Sequence, residues 1–487
     1  SNSYWFKNAT SVNQFTRIAV PAIVSGIFPT STTKPPVYLA HPNNLFTLLA
    51  PKYDMEVYEP YTKLCPGRIC AKGARSASFR AKQNAIDKMT LRKRKDWSTS
   101  PVSTEDRAFA FKRYLRAMRA HKRPALYFMH NILPHMPFQF MPSLRAYRPH
   151  TVRGYMNNHW SSEQESINVA YRQYLLQTGA ADTMLGLLIN KLKSIGVYDR
   201  ALIIVMSDHG LSFQPGDYRR SKPSRANFVE DILYIPLFIK LPYQQGGTVD
   251  FRNIESIDVL PTIAEITNIP ITWNADGASI FSSGSIDRID KAVFINQNDG
   301  NHNVVAARSG SREGGALFSF PAPSLPPRET LEWKLSLPGY SYPNLADPFY
   351  IGPHSDYIGR STWSISDLSS APFTFNLDKD LKLDTDRKSL IFEEKSGTCP
   401  CRIVGFVSNP PGTTLPSRQI AVSINGILWG FANLFDMNGD TTKKSFDLTV
   451  SDRAFLEGRN KVEIYFSQIN DLGELSLSRL SQKPSRK

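Results

Sequence analysis

The side chains best placed for chemistry fall on separate stretches. An apolar run, Ala201-Leu-Ile-Ile-Val-Met206, passes through Ser207 into Asp208-His209-Gly210. A carboxylate followed by an imidazole can hold a divalent cation or pass a proton. Beyond the carboxyl end of a buried strand, the pair would sit where open α/β sheets bind their ligands. Thr16 opens the segment Thr16-Arg-Ile-Ala-Val-Pro21-Ala-Ile-Val-Ser25-Gly26. A hydroxyl at a helix N-terminus meets an anion beside free backbone N–H groups, although a Thr there also serves as an ordinary cap. His135 lies among prolines in Leu133-Pro-His-Met-Pro137, after the apolar run Ala125–Met129, and His130 reads as a structural residue of that run. Arg219, Arg220 and Lys222 occupy the Gly/Pro loop after Gly210 and could clamp a phosphoryl or other anionic group.

The elements that must position these groups follow from periodicity. The run 201–206 is short, partly β-branched and bounded by Asp199-Arg200 and Gly210, which predicts a strand buried on both faces, as in parallel sheets. Residues 161 to 195 carry apolar side chains at three and four spacing, from Ile167 through Tyr171, Leu175, Met184 and Leu188 to Leu192. This predicts a long core helix, capped by Ser161 or Ser162 and ended by Gly196. That helix would make a β-α-β crossover into the 201–206 strand, which argues for a mostly parallel sheet flanked by helices. Residues 231–242 read as a further strand. From about 376 onward the segments are short, alternating and β-branched, with Asn425-Gly426 as a hairpin signal, and predict a β-sandwich-like accessory domain over 376–487. Residues 309–345 are rich in Pro, Ser and Gly, so 291–375 reads as a linker and irregular segment.

Length and composition set the outer bounds. At 487 residues two domains are the prior, and 41% hydrophobic with 21% charged residues is an ordinary globular balance. No apolar run is long enough to span a bilayer. The net charge is +15, and an excess of about twelve positive charges falls within a basic insertion over 72–123. A solvated, partly helical segment accounts for it; without a zinc-finger spacing or an RNA-binding signature, nucleic acid is a minor alternative. The four cysteines form two close pairs, and neither has Cys-x-x-Cys spacing. A Cys65–Cys70 bridge around Pro66-Gly67 suits an oxidising compartment, while the partners of Cys399 and Cys401 stay open.

Thr16, Pro21 and Ser25-Gly26, with Pro134-His135-Met-Pro137, Asp208-His209, Ile257-Asp-Val-Leu-Pro-Thr-Ile263 and Asp276-Gly-Ala-Ser-Ile280, resemble the alkaline phosphatase/sulfatase superfamily over about residues 4 to 285. The offsets are similar to its membrane-anchored, Thr-nucleophile branch of phosphoethanolamine transferases, with Pro at plus five and Ser at plus nine. True sulfatases carry Cys-x-Pro-Ser-Arg, whose Cys becomes formylglycine; here Ile18 and Val20 stand at the Pro and Arg positions, and Thr cannot form that aldehyde. The resemblance implies an alkaline phosphatase-like α/β catalytic domain over 1–290. It implies a divalent metal, zinc first and manganese, magnesium or calcium as alternatives, held by Thr16, Asp208 and His209. Thr16 would be the nucleophile, and His135 would contact the ester or its leaving group. The implied substrate is a phosphate ester, or less readily a sulfate ester, on a lipid or glycan. The alternative is a catalytically incomplete module that binds a polyanion or cell-envelope glycan.

In the resembled family an upstream Asp or Glu completes the metal site, yet residues 1–53 contain neither. The expectation is a fragment of a longer, membrane-tethered, extracytoplasmic protein whose first strand lies outside this sequence. Such a chain alone would bind metal weakly and turn over little.

Overall fold

The computed structural model describes residues 2–70, 106–148, 152–222, 227–282, 288–296, 306–312, 314–322, 349–350, 354–365, 367–378, 381, 389–410, 419–436 and 442–482. Most of the basic insertion, 72–105, lies outside them. The chain forms two compact units, the first made of residues 1–132 with 187–331 and the second of 133–186 with 332–487.

In the first unit, strands β1 (Tyr4–Phe6), β2 (Asp54–Tyr58), β3 (Ala125–Met129), β4 (Ile203–Met206), β5 (Leu237–Lys240) and β6 (Thr248–Asp250) form two sheets. One is ordered β4-β5-β1-β6; the other is the parallel pair β2-β3. The mostly parallel sheet expected from the sequence has one strand reversed: β1, β4 and β6 run one way and β5 the other. β4 and β1 both run antiparallel to β5, and in that sheet only β1 and β6 pair in parallel. Nor is β4 buried on both faces; all four of its residues are partly exposed, because it pairs with β5 alone among the described strands. An apolar run specifies a strand but not the direction of its neighbour. The 231–242 segment also differs: Val229–Leu233 winds as a π-helical turn, and β5 begins only after Pro236, which has no N–H for a ladder.

Helix α1 (Thr16–Ser25) packs Val20 and Val24 into a core with α2 (Leu45–Leu49), Met55 and Leu260 of α5 (Val259–Thr267). Asn44 caps α2, accepting from Phe46 N and Thr47 N while Thr47 Oγ1 accepts from Asn44 N in return. α3 (Asp106–Ala117) places Tyr114 and Leu115 on a cluster of Met118, Leu192 and Val197. Helix α4 (Gln164–Ser194) ends where Gly196 turns left-handed at φ 69°. Its first turn is capped by Glu163, which accepts from Ser166 N at 2.6 Å and Glu165 N at 3.2 Å, rather than by Ser161 or Ser162. Residues 290–321, read as the start of a linker, instead carry a three-stranded antiparallel sheet of β7 (Asp290–Asn296), β8 (Ala306–Arg312) and β9 (Gly315–Pro321), ordered β7-β9-β8.

The second unit is built on one nine-stranded sheet. Its strands are β10 (Asp367–Leu377), β11 (Ser389–Phe392), β12 (Arg402–Ser408), β13 (Gln419–Ile424), β14 (Ile427–Asn433), β15 (Phe435–Asp436), β16 (Lys443–Thr449), β17 (Gly458–Ile469) and β18 (Leu475–Gln482). They run β14-β13-β17-β18-β10-β12-β16-β15, with β11 on β17. The strands expected to form a sandwich are thus joined in a single hydrogen-bonded path. It coils far enough that a Cβ on Gly430 of β14 would press on Leu448 of β16. Asn425 and Gly426 take positive φ of 52° and 80° in the β13–β14 turn, the backbone that hairpin demands. Arg402 and Asp447, both fully buried, pair inside this unit.

Candidate active site

Thr16 is the first residue of α1. The residue before it, Phe15, is the N-cap and offers no side-chain hydrogen bond, so the Thr16 hydroxyl is not spent on capping. Its Oγ1 instead lies 3.2 Å from His209 Nε2. His209 Nδ1 meets the Gly210 carbonyl at 2.8 Å and must donate there, which leaves the Nε2 lone pair facing Thr16. Asp208 Oδ2 lies 3.5 Å from the same Nε2, and its side chain keeps 23% exposure against 8% for His209.

Burial pushes the Asp208 carboxyl up, but His209, His130, the Thr16 hydroxyl and Arg220 together hold it below the usual carboxylate range. Burial lowers His209 below the usual imidazole value; Arg220 and Arg219 add to that, against Asp208 and the Gly210 carbonyl. The site is therefore an ionised carboxylate beside a neutral imidazole.

Those are the states a divalent cation requires of its ligands. Two donors about 2.1 Å from a tetrahedral metal lie about 3.4 Å apart. The 3.2 Å and 3.5 Å separations around Nε2 match that edge. Asp208 Oδ2 is also buried without a hydrogen-bond donor. Thr16, Asp208 and His209 fit three positions of a metal site. No three His, Cys, Asp or Glu side chains converge as a metal site among the described residues, so the third donor of this set is the hydroxyl.

A hydrogen-bonded loop carries the cations. Ser212 N donates to the Arg219 carbonyl at 2.8 Å, Ser212 Oγ to Asp231 at 2.9 Å, and Asn227 Nδ2 to Asp231 at 2.6 Å. Arg220 reaches His209 Nε2 at 3.4 Å and lies over the Phe15 ring at 5.4 Å. Arg17 covers the same ring at 5.8 Å and donates to the Thr32 carbonyl at 2.7 Å. Lys222 is exposed and sits over Tyr218, 4.7 Å from its ring centroid. The structure thus brings Thr16, Asp208, His209 and Arg220 together, with Arg219 near enough to act on His209, while the contacts of Lys222 are with Tyr218. His135 belongs to the second unit, where its Nδ1 meets the Met136 carbonyl at 2.6 Å and its own carbonyl accepts from Gln177.

His130 is the residue that sequence reasoning set aside. It directly follows β3, half-buried, and interacts electrostatically with Asp208. Burial lowers its pKa and Asp208 opposes that. Its place one residue beyond a strand end was the available signal. Arg17, next to Thr16, was also missed. The Ile257–Ile263 and Asp276–Ile280 motifs prove architectural: Asp258 accepts from Glu255 N, Ala278 N and Arg288, and Asp276 accepts from Phe28 N. Cys65 is bonded to Cys70, and Cys399 to Cys401.

Gly210 fixes the strand end against the π-helical turn. Its N–H donates to the Ile232 carbonyl at 2.7 Å, and a Cβ would drive into the Asp231 carbonyl. Gly210→Ala is expected to cost about 1–3 kcal/mol in thermal unfolding. An unchanged melting temperature would show that this contact is slack.

A sequence profile described as Sulfatase matches residues 2–269, more than half of the chain. The chain belongs to the sulfatase family. Enzymes of this family, part of the alkaline phosphatase superfamily, typically use a divalent metal. Bovine (Bos taurus) arylsulfatase K is 27% identical over 125 residues, covering 26% of this chain and 22% of that protein. A ulvan-active sulfatase of Formosa agariphila is 27% identical over 110 residues, covering 22% and 21%. The matched segments span about a fifth of these relatives' length. Among solved structures, phosphonate monoester hydrolases from Silicibacter pomeroyi (18% identity, TM-score 0.41, 60% of this chain and 73% of that one) and Agrobacterium radiobacter (15%, 0.39, 61% and 73%) are similar. No helix among the described residues is long and apolar enough to cross a membrane.

Proposed function

We propose that this sulfatase-family chain carries a metal-assisted ester hydrolase or transferase site that acts on phosphate esters, and less readily on sulfate esters, through Thr16. The observation that carries it is the Thr16–His209–Asp208 constellation, with donor separations of 3.2 Å and 3.5 Å. A bound divalent cation would acidify the Thr16 hydroxyl and neutralise charge on the ester oxygens. The Thr16 oxygen attacks phosphorus, forming a Thr–O–P bond and breaking the ester P–O bond. The departing alcohol takes up a proton. Water, or a second alcohol in a transferase, then displaces Thr16. Arg220, with Arg17 and Arg219 near it, holds the anionic oxygens.

The Thr16, Pro21 and Ser25-Gly26 offsets support the finer reading of a phosphoethanolamine-type transferase on a lipid or glycan. The two disulfides support an extracytoplasmic setting. A second reading, a non-catalytic module for a polyanion, is favoured by one observation: no third His, Cys, Asp or Glu joins Asp208 and His209 among the described residues.

Aryl phosphate and aryl sulfate hydrolysis, each with added zinc and with chelator, separates the readings. Slow zinc-dependent turnover that favours phosphate is expected, in keeping with a three-donor site. Turnover indifferent to chelator, or faster on sulfate, contradicts the metal-assisted, phosphate-preferring mechanism. Saturable phosphate binding without turnover selects the binding module.

A further inference from the structure

The loop after β2 points toward the candidate site and has no part in the chemistry above. Glu59 is half-buried and accepts from Thr62 Oγ1 at 2.8 Å, Leu64 N at 3.2 Å and Cys65 N at 2.9 Å, so a single carboxylate folds residues 59–65 around itself. The Cys65–Cys70 bond closes the following turn. On the other side, His130 N donates to the Tyr58 carbonyl at 2.9 Å and carries the β2–β3 ladder one residue further. The loop is therefore held at both ends.

Tyr61 is the side chain this loop presents. Its ring meets His130 edge-on, with centroids 6.5 Å apart and planes at 73°. Beyond the His130 ring, the phenol lies within electrostatic reach of Arg220, Arg17, Asp208 and Arg219. It is half-buried, which leaves it within reach of a ligand. Arginines attract an oxyanion by charge and grip it through a planar fork of paired donors. A neutral O–H in a fixed place donates to one oxygen and selects an orientation.

We propose that Tyr61 is a substrate-binding residue whose hydroxyl donates a hydrogen bond to a non-bridging oxygen of the phosphate or sulfate ester drawn in by Arg17, Arg219 and Arg220. This rests on the reading of the site as one for tetrahedral oxyanion esters. Tyr61→Phe keeps the ring against His130 and removes only the donor. Binding of orthophosphate to the full chain, followed by calorimetry, is expected to weaken about tenfold or more in the variant, with the melting temperature held. Phosphate is also expected to slow nitration of Tyr61 by tetranitromethane in the unaltered chain, mapped by peptide mass. Equal phosphate affinity in both chains, or Tyr61 nitration unaffected by saturating phosphate, overturns the Tyr61 assignment and leaves the oxyanion site standing. An unaltered chain that binds neither phosphate nor sulfate overturns both.

Discussion

Thr16→Ala is expected to lower turnover of a phosphate ester by about a thousandfold or more while leaving the fold intact, the size of effect seen when a covalent nucleophile is removed. The loss should not come from unfolding. The hydroxyl caps nothing in α1, since the N-cap is Phe15 and its side chain makes no capping bond. His209 Nε2 loses one partner at 3.2 Å but keeps the Arg220 guanidinium at 3.4 Å. The cost in stability should therefore stay near that of one ordinary hydrogen bond, about 1 kcal/mol. Thr16→Ser restores an oxygen on the same carbon and should recover part of the rate. Zinc affinity measured by calorimetry should also fall in Thr16→Ala, because one of three donors is gone. An alanine variant within about tenfold of the unaltered rate would place the nucleophile elsewhere.

What could be read from the sequence was local. Thr16, Pro21 and Gly26 mark α1 closely: the helix runs Thr16–Ser25, and Gly26 ends it in the left-handed region at φ 68°. Asp208-His209 was found because a polar pair after an apolar run needs only the strand to exist, not a particular neighbour. The direction of that neighbour was not legible. Ile203–Met206 pairs with Leu237–Lys240, more than thirty residues away, and nothing in either tetrapeptide distinguishes an antiparallel ladder from a parallel one. The same holds in the second unit. Alternation and Asn425-Gly426 exposed the hairpin, yet no local signal sets β10 parallel to β18, about a hundred residues downstream. His130 was passed over because His135 carries the more recognisable Pro-His-Met-Pro surroundings. Tyr61 offers no sequence signal at all; it matters through a loop shaped by the Glu59 carboxylate, and three-dimensional folding alone brings it to the arginines.

Arg288→Ala is expected to destabilise the first unit by about 3–5 kcal/mol, the usual cost of removing one partner from a buried ion pair. Arg288 donates to both oxygens of Asp258 at 2.7 Å and lies 3.3 Å from Glu255. The two carboxylate side chains are 0% and 1% exposed, so without the guanidinium Asp258 loses its ion-pair partner and Glu255 keeps the weaker pull of Lys291. Backbone donors would remain, Glu255 N and Ala278 N to Asp258, and Ala292 N to Glu255. They satisfy lone pairs but bring no formal charge. The pH dependence separates this account from a packing defect. Burial pushes Glu255 above the usual carboxylate range, and Arg288 offsets only part of that rise. Removing Arg288 leaves the upward push, so folded Glu255 holds its proton to higher pH than it does in the unfolded chain. The folded variant then binds more protons than the unfolded one, and its stability falls as pH rises through that range. The gap between variant and unaltered chain should accordingly be smaller at about pH 5 than at about pH 8 in denaturant unfolding. A gap that is constant across this range would mean that Arg288 acts through packing. Because Ile257 and Asp258 adjoin the close contacts of Gly26 and Gly277, loosening here also reaches the C-terminal end of the helix that carries Thr16.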